Sequence, residues 1–238
     1  MEEVNVVVLC GGKGNRLGPL GQEIPKGLVK MNGVPILHRT LDLYSKKGFN
    51  KFVLCIGYKG KMIKDYFKDK NNFNIRFSDS GEDANMLKRI YDIKDLVGEN
   101  IFIVYGDTYA DINLNGLLSN HSSDDNLATI VTTSIKNPWG LIKIDESGKI
   151  TNYEEKPILN YYMGILVLNK EAFKFISKEM LEAKNEEGLV LFFKELVRIG
   201  KLNNYSHNGL HITFNTPSEK NLANNIFEYF TDLENDKK

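Results

Sequence analysis

The amino-acid sequence predicts an α/β chain whose mixed, mostly parallel, doubly wound sheet is flanked by helices, and three observations carry that expectation. Apolar runs rich in β-branched residues alternate with segments of helical periodicity through the first half of the chain. The first such run, Val4–Leu9, empties into the glycine-rich turn Gly11-Gly12-Lys13-Gly14. The fourth, Ile101–Tyr105, is apolar throughout, as expected of a strand covered on both faces.

Each element has its own warrant. Val4–Leu9 reads as a buried strand, and Pro35–Lys47 as a helix because Ile36, Leu37, Leu41 and Tyr44 recur at helical spacing. Lys51–Ile56 is a second strand, followed by a helix over Lys61–Phe67 that opens after Gly57 and Gly60. Phe73–Phe77 is a third strand and Asn85–Leu96 another helix. From Leu127 the strands crowd together as Leu127–Thr133, Leu141–Asp145, Lys149–Tyr153 and Met163–Leu168, so the sheet is expected to become mixed. Helices return over Glu171–Ala183 and Leu189–Arg198, and a last one starts near Pro217. No repeat or Pro-rich linker divides the chain, which predicts one Rossmann-like domain over residues 1–230 and a charged tail, 231–238, that frays from Asp232.

Composition narrows the function. The 238 residues carry 31 basic and 31 acidic side chains, so no global field draws the chain to nucleic acid or to an anionic membrane. Any anion site must be local. The N-terminus lacks a charged leader, and no apolar run approaches the roughly 18 residues of a membrane span, so a soluble, cytoplasmic protein is expected. Cys10 and Cys55 end two strands and read as reduced core thiols. His38, His121, His207 and His211 show no metal-ligand spacing and are expected at the surface or on helices. Trp139, beside Gly140, either lines a pocket or packs in the core.

The chemistry concentrates in the first turn. A strand that ends in Gly11, Gly12 and Gly14 makes a loop whose backbone N–H groups can face phosphate oxygens, with Arg16 and Lys26 as fixed positive charges beside it. A dinucleotide fingerprint is excluded because Leu17 stands where its third glycine belongs, and no G-K-[ST] ending supports a Walker loop. The alternative is a tight turn whose glycines serve backbone geometry alone.

The pattern G-G-x-G-x-R-L-x-P-L, followed by Pro25-Lys26, resembles the sugar-1-phosphate nucleotidylyltransferases, and the resemblance covers roughly residues 4–225. Tyr105-Gly106-Asp107 resembles that family's metal-binding G-D, and Glu154-Glu155-Lys156-Pro157 its E-K-P acceptor site. The finer likeness is divided. Gly57-Tyr-Lys-Gly60 and Leu87-Lys-Arg89 are similar to glucose-1-phosphate cytidylyltransferases, whereas Leu9-Cys-Gly-Gly12 and Gly106-Asp-Thr108 are similar to heptose-1-phosphate guanylyltransferases. The resemblance implies the nucleotidyltransferase fold and Mg²⁺-dependent transfer of a nucleotidyl group from an NTP, CTP or GTP, to a sugar 1-phosphate. It implies catalytic roles for Arg16, Lys26 and Asp107, with nucleotide contacts at Leu9, Gly11, Gly12, Lys13, Gly14, Asn85 and Gly106. Gly140, Glu155, Lys156 and Gly164 would bind the acceptor, and Asp107 with Asn215 would hold Mg²⁺. The partners implied are an NTP and a phosphorylated small molecule, with neither nucleic acid nor membrane, and possible self-association.

Three departures bear on specificity. The base-recognition loop reads Glu82-Asp-Ala-Asn-Met-Leu-Lys88 in place of paired small residues, so the base cannot be carried over. Tyr162-Met-Gly164 lacks the family's asparagine for sugar hydroxyls, which opens the alternative of a cytidylyltransferase acting on a non-sugar phosphomonoester or phosphonate. Thr213 replaces the second metal aspartate of D-x-G-T-P, which leaves Asn215 as an oxygen donor and raises a second alternative, a catalytically silent nucleotide-binding regulator. Asp111 fits no role in the family and reads as a capping or turn residue.

Overall fold

The apolar runs of the first half become strands because both of their faces carry branched or aromatic side chains that other layers can cover. In chain order the elements are β1 (Asn5–Leu9), α1 (Pro19–Glu23), β2 (Lys30–Met31), β3 (Val34–Pro35), α2 (Ile36–Lys46), β4 (Lys51–Ile56), α3 (Gly60–Phe67), β5 (Asn74–Asp79), α4 (Met86–Tyr91), β6 (Asn100–Tyr105) and β7 (Thr108–Ala110). They continue with α5 (Leu114–Ser122), β8 (Ala128–Lys136), β9 (Leu141–Ile144), β10 (Ile150–Glu154), β11 (Ile158–Asn169), α6 (Lys178–Glu182), α7 (Glu187–Arg198), β12 (Leu202–Ser206), β13 (His211–Thr213) and α8 (Pro217–Asn235). The structure, a computed structural model, describes residues 4–184 and 186–235.

Seven strands form one sheet in the order β12-β8-β11-β6-β1-β4-β5. Strands β6, β1, β4 and β5 run parallel, and β12 is parallel to β8. Strand β11 is antiparallel to both of its neighbours, β6 and β8, which makes the sheet mixed as the close spacing after Leu127 predicts. From β1 the chain adds β4 and β5 on one side and then β6 on the other. Connections diverge at such a switch point and leave a crevice beyond the carboxyl ends of the strands.

Alternation along β1 divides the core. Val6 and Val8 pack with Leu37 and Leu41 of α2 and Ile63 of α3. Val7 and Leu9 face the other way, toward Leu87 and Ile90 of α4 and Leu189 and Phe192 of α7. Each fully buried side chain of this size contributes about 1.5–3 kcal/mol. A third cluster joins Leu17, Val29 and Ile36 to Ile212, Phe214 and Phe227, so the segment after the glycine turn is anchored on β13 and α8. Among the described residues, no helix is long and apolar enough to cross a membrane.

Several expectations need correction. The helix expected over Glu171–Ala183 is two pieces, a 3-10 turn at Lys170–Phe175 and then α6. Ile176 is extended between them, and the Ser177 side chain caps the second piece by accepting from the Met180 N–H. The helix expected to reach Leu96 ends at Tyr91. Helix α8 runs to Asn235, into the segment expected as tail, whereas 236–238 lie outside the described residues. The strands β12 and β13 were not expected; both mix polar and apolar residues without a clean run. His121 lies on helix α5, one of the two expected settings, and is buried with a bond to Thr129 Oγ1 at 2.9 Å, whereas His207 is buried outside any helix, 3.0 Å from Asp111. Trp139 is 75% exposed and neither packs in the core nor lines the pocket. Cys10 and Cys55 are buried free thiols, as expected, and burial pushes the Cys10 thiol up to about 12.

Candidate active site

The switch point places the chemistry. Leu9, the last residue of β1, pairs with Tyr105, the last of β6, and the Gly106 N–H donates to the Leu9 carbonyl at 3.0 Å. The glycine turn and Asp107 therefore leave the sheet side by side. A cavity of about 830 Å³ opens there, within the usual range for small-ligand sites. It is lined by residues 9–16, Lys26, 82–86, Arg89, 105–108, 162–164, Glu186, His211, Thr213 and Asn215. All the residues expected to contact nucleotide are in this lining, as are Arg16, Lys26 and Asp107.

Three side chains converge at its centre of charge. Lys26 Nζ donates to Asp107 Oδ2 and, at 3.0 Å, to Asn215 Oδ1. Lys26 and Asp107 are mostly shielded, with side chains 14% and 21% exposed. Asn215 is itself held by its backbone N–H, which donates to Glu219 Oε2 at 2.6 Å in the first turn of α8. An aspartate oxygen and an amide oxygen that already share one positive charge are a donor set suited to a hard divalent cation, and Mg²⁺ fits. It would complete its shell with water and phosphate oxygens. Among the described residues no group of three His, Cys, Asp or Glu could hold a metal.

Arg89 of α4 and Asn85, the residue that caps it, organise the opposite wall. Arg89 is 3% exposed; its guanidinium donates to the carbonyls of Ile56 at 2.6 Å, Gly81 at 2.8 Å, and Gly11 and Glu82 at 3.3 Å each. It thereby ties the glycine turn to the end of β4 and to the loop 81–86. A Cβ on Gly11 would sit 2.5 Å from Arg89 Nη1, so only glycine fits under this clamp. The Asn85 carboxamide caps α4 by accepting from the Lys88 N–H at 2.8 Å and donates to the carbonyls of Met180, Leu181 and Ala183. Its polar atoms bond to the protein's own backbone, at the start of α4 and in the loop before α7. Lys13 Nζ reaches Asp83 Oδ1 at 2.7 Å, a further link between turn and loop; hydrogen bonding to Asp83 raises the Lys13 pKa and lowers that of Asp83.

The acceptor residues divide. Gly164 lines the cavity at φ 75°, and a Cβ there would lie 2.8 Å from the Tyr105 ring. Gly140, Glu155 and Lys156 lie outside the lining, at the base of the exposed β9–β10 hairpin. Lys156 has φ 46°, and its ammonium is 3.7 Å from Glu155. Sequence reasoning missed Arg89, Glu186 and His211. His211 faces the cavity two residues before Thr213, with its Nε2 buried and unpartnered, and burial lowers its pKa. Its only signal in the sequence is its place four residues before Asn215.

Comparison with known proteins agrees with this geometry. A protein of Bacillus subtilis named "Probable glucose-1-phosphate cytidylyltransferase" is 32% identical, over 90% of this chain and 92% of its own. The D-glycero-alpha-D-manno-heptose 1-phosphate guanylyltransferase of Campylobacter jejuni is 27% identical, over 86% of this chain and 98% of its own. Among solved structures, the CTP:phosphocholine cytidylyltransferase of Streptococcus pneumoniae shares the fold with a TM-score of 0.70 at 18% identity, covering 94% of this chain and 99% of that one. The model of the nucleotidyl transferase family matches residues 5–208, and the chain, with its glycine turn, Asp107 and the cavity between them, belongs to that family of enzymes.

Proposed function

We propose that this enzyme transfers a cytidylyl group from CTP to a sugar 1-phosphate and releases pyrophosphate. The observation that carries the reading is the convergence of Lys26, Asp107 and Asn215 beside the glycine turn, in a chain 32% identical to the Bacillus subtilis protein. A phosphate oxygen of the acceptor attacks the α-phosphorus of CTP in line. One P–O bond forms, the bond from the α-phosphorus to the α,β-bridging oxygen breaks, and pyrophosphate leaves with that electron pair.

The protein's share is positioning and charge. The amides of Gly11, Gly12 and Gly14 face the triphosphate, and Arg16 and Lys13 hold its β- and γ-phosphates. Lys26 turns from Asp107 to the α-phosphate, where negative charge is crowded as the acceptor approaches. Bound Mg²⁺ would neutralise phosphate charge, held by Asp107 and Asn215. Gly164 lets the acceptor approach the backbone, and Glu155 and Lys156 meet its hydroxyls and phosphate from the base of the hairpin. Arg89 fixes the turn and the base-side loop in one frame.

A second reading has its own support. Tyr162 stands in the lining where the family resemblance expects an asparagine for sugar hydroxyls, which favours a non-sugar phosphomonoester with fewer hydroxyl groups. One experiment tests both. Pyrophosphate release with Mg²⁺ is measured for four NTPs against sugar 1-phosphates and phospho-alcohols. Preference for CTP with a sugar 1-phosphate is expected. Turnover confined to phospho-alcohols overturns the first reading for the second, and preference for GTP overturns the assigned base.

A further inference from the structure

The segment that begins at the glycine turn stands on two consecutive residues of the loop after β4. At its start, the Tyr58 N–H donates to the Gly11 carbonyl at 3.0 Å. At its end, Lys59 Nζ donates to the carbonyl of Gln22 and, at 2.9 Å, to that of Glu23. Both carbonyls belong to the last turn of α1, where C=O groups lack helical partners and a cation is favourable. Between these two footings lie Lys13, Gly14 and Arg16 of the cavity lining. Helix α1 rests directly on the turn, because a Cβ on Gly21 would lie 2.5 Å from the Gly14 carbonyl oxygen. Lys59 itself occupies left-handed backbone, φ 51° and ψ 29°, where glycine is the ordinary choice. Its side chain does not cap α3, which starts at the next residue.

We infer that Lys59 is a positioning residue, a strut that holds α1 and, through it, Gly14 and Arg16 in the place where a triphosphate binds. Strain is the first argument. A non-glycine residue keeps left-handed backbone where its surroundings over-determine it, and such residues gather at ligand clamps. Here the ammonium bonded to two carbonyls supplies the reason for a lysine. Division of labour is the second. Leu17 anchors the inner side of the segment in the third apolar cluster, whereas Gln22 and Glu23 are exposed and no apolar packing fixes that side. A polar hold is what remains for it, and Lys59 provides one. Position is the third. Lys59 is absent from the cavity lining, so its route to the site runs through α1 and the contact of Gly21 with Gly14. That a triphosphate is what the turn receives rests on the proposed function; the strut itself does not.

Two variants of the full chain test the strut. Lys59→Met keeps the stem and removes the ammonium, and Lys59→Gly suits the left-handed backbone better than lysine does, so a loss of function in it does not come from misfolding. Equilibrium binding with Mg²⁺ is measured for the tightest of the four NTPs and for its monophosphate. Both variants are expected to weaken the triphosphate about 10-fold and to leave the monophosphate within about twofold, because the strut acts on the part of the site that meets the β- and γ-phosphates. In turnover, KM for the NTP should rise by the same factor while kcat and the acceptor KM hold. The loss should persist from about 0.1 M to about 0.5 M salt; a loss that vanishes at high salt is long-range attraction by the missing charge and overturns the inference. Wild-type affinity in Lys59→Gly, or equal weakening of both nucleotides, also overturns it. Amide exchange of residues 14–24 in the nucleotide-free chain is expected to accelerate in both variants, and unchanged exchange refutes the strut. A wild type that binds no NTP removes the proposed function, and faster exchange in the variants would still support the strut.

Discussion

Replacing Lys26 by methionine is expected to strengthen divalent-cation binding by the nucleotide-free enzyme even as it weakens catalysis. In the structure the Lys26 ammonium sits on both oxygens that would hold the metal, Asp107 Oδ2 and Asn215 Oδ1. A cation must displace it or share those oxygens with it. Two unit charges about 4 Å apart attract by about 4 kcal/mol at an effective dielectric constant near 20. Water reaches both side chains, which are 14% and 21% exposed, and screening leaves a net competition of about 2 kcal/mol. Removing it should lower the Mn²⁺ dissociation constant roughly 30-fold. Methionine keeps the length of the stem near the Phe214 ring, 5.5 Å from Nζ, so packing changes little. The assay is titration of free Mn²⁺ by its paramagnetic resonance signal, without nucleotide, for wild type, Lys26→Met and the pair Lys26→Met/Asp107→Asn. Binding that tightens in the first variant and is lost in the second supports the reasoning. Equal affinity in wild type and Lys26→Met, or tight binding that survives loss of the Asp107 charge, refutes it. Turnover of Lys26→Met should meanwhile fall about 10²–10³-fold, because a positive charge facing the reacting phosphate is gone.

Three further predictions follow from individual contacts. Arg89→Met leaves four carbonyls without their charged donor and should cost about 3 kcal/mol or more, read as the urea midpoint; a loss under about 1 kcal/mol would show that the clamp is not structural. Asn85→Ala should cost about 1–3 kcal/mol yet leave the ranking of the four NTPs in equilibrium binding unchanged, because its carboxamide is committed to the protein; a reordered ranking would mean that it reads the base. Burial lowers His121 from 6.5 to about 4, so the unfolded chain takes up this proton first as pH falls. Stability present above pH 6.5 should therefore drop by about 3 kcal/mol as pH falls to 4, and His121→Gln should flatten that part of the urea-midpoint profile; equal slopes in both proteins would rule the histidine out.

The core of the sheet was legible because buried parallel strands must be apolar on both faces. Val4–Leu9, Lys51–Ile56 and Ile101–Tyr105 differ from the observed strands by at most one residue at an end. Legibility fails where pairing does not depend on apolar runs. Strand β12, Leu202–Ser206, is held by its ladder to β8 and offers only Leu202 and Tyr205 as apolar residues. The segment 171–183 looked like one helix because periodicity is blind to a cap, and Ser177 restarts the helix after one extended residue. The strands of the hairpin were expected within one residue at an end, and Gly140, Glu155 and Lys156 lie at the root of this arm, outside the lining of the cavity.

The site divides along the same line. Arg16, Lys26, Asp107 and the glycines, which line the cavity, were legible because the proposed phosphate chemistry calls for those residue types and the family motifs set them at short spacings. Arg89 and Asn85 act on backbone carbonyls, and a carbonyl has no residue type. Arg89 reaches the Ile56 carbonyl across 33 positions and that of Gly11 across 78; Asn85 reaches Met180 across 95. No spacing rule spans such distances, and the acceptors could belong to any sequence. What a sequence does show is the anomaly at the donor: an arginine between Leu87 and Ile90, in a helix whose other face must be buried. A charge in that place has to be paired or to bind several oxygens. Here it binds the carbonyls of Ile56 at the end of β4, Gly11 in the glycine turn, and Gly81 and Glu82 in the loop opposite, and so ties two walls of the cavity together.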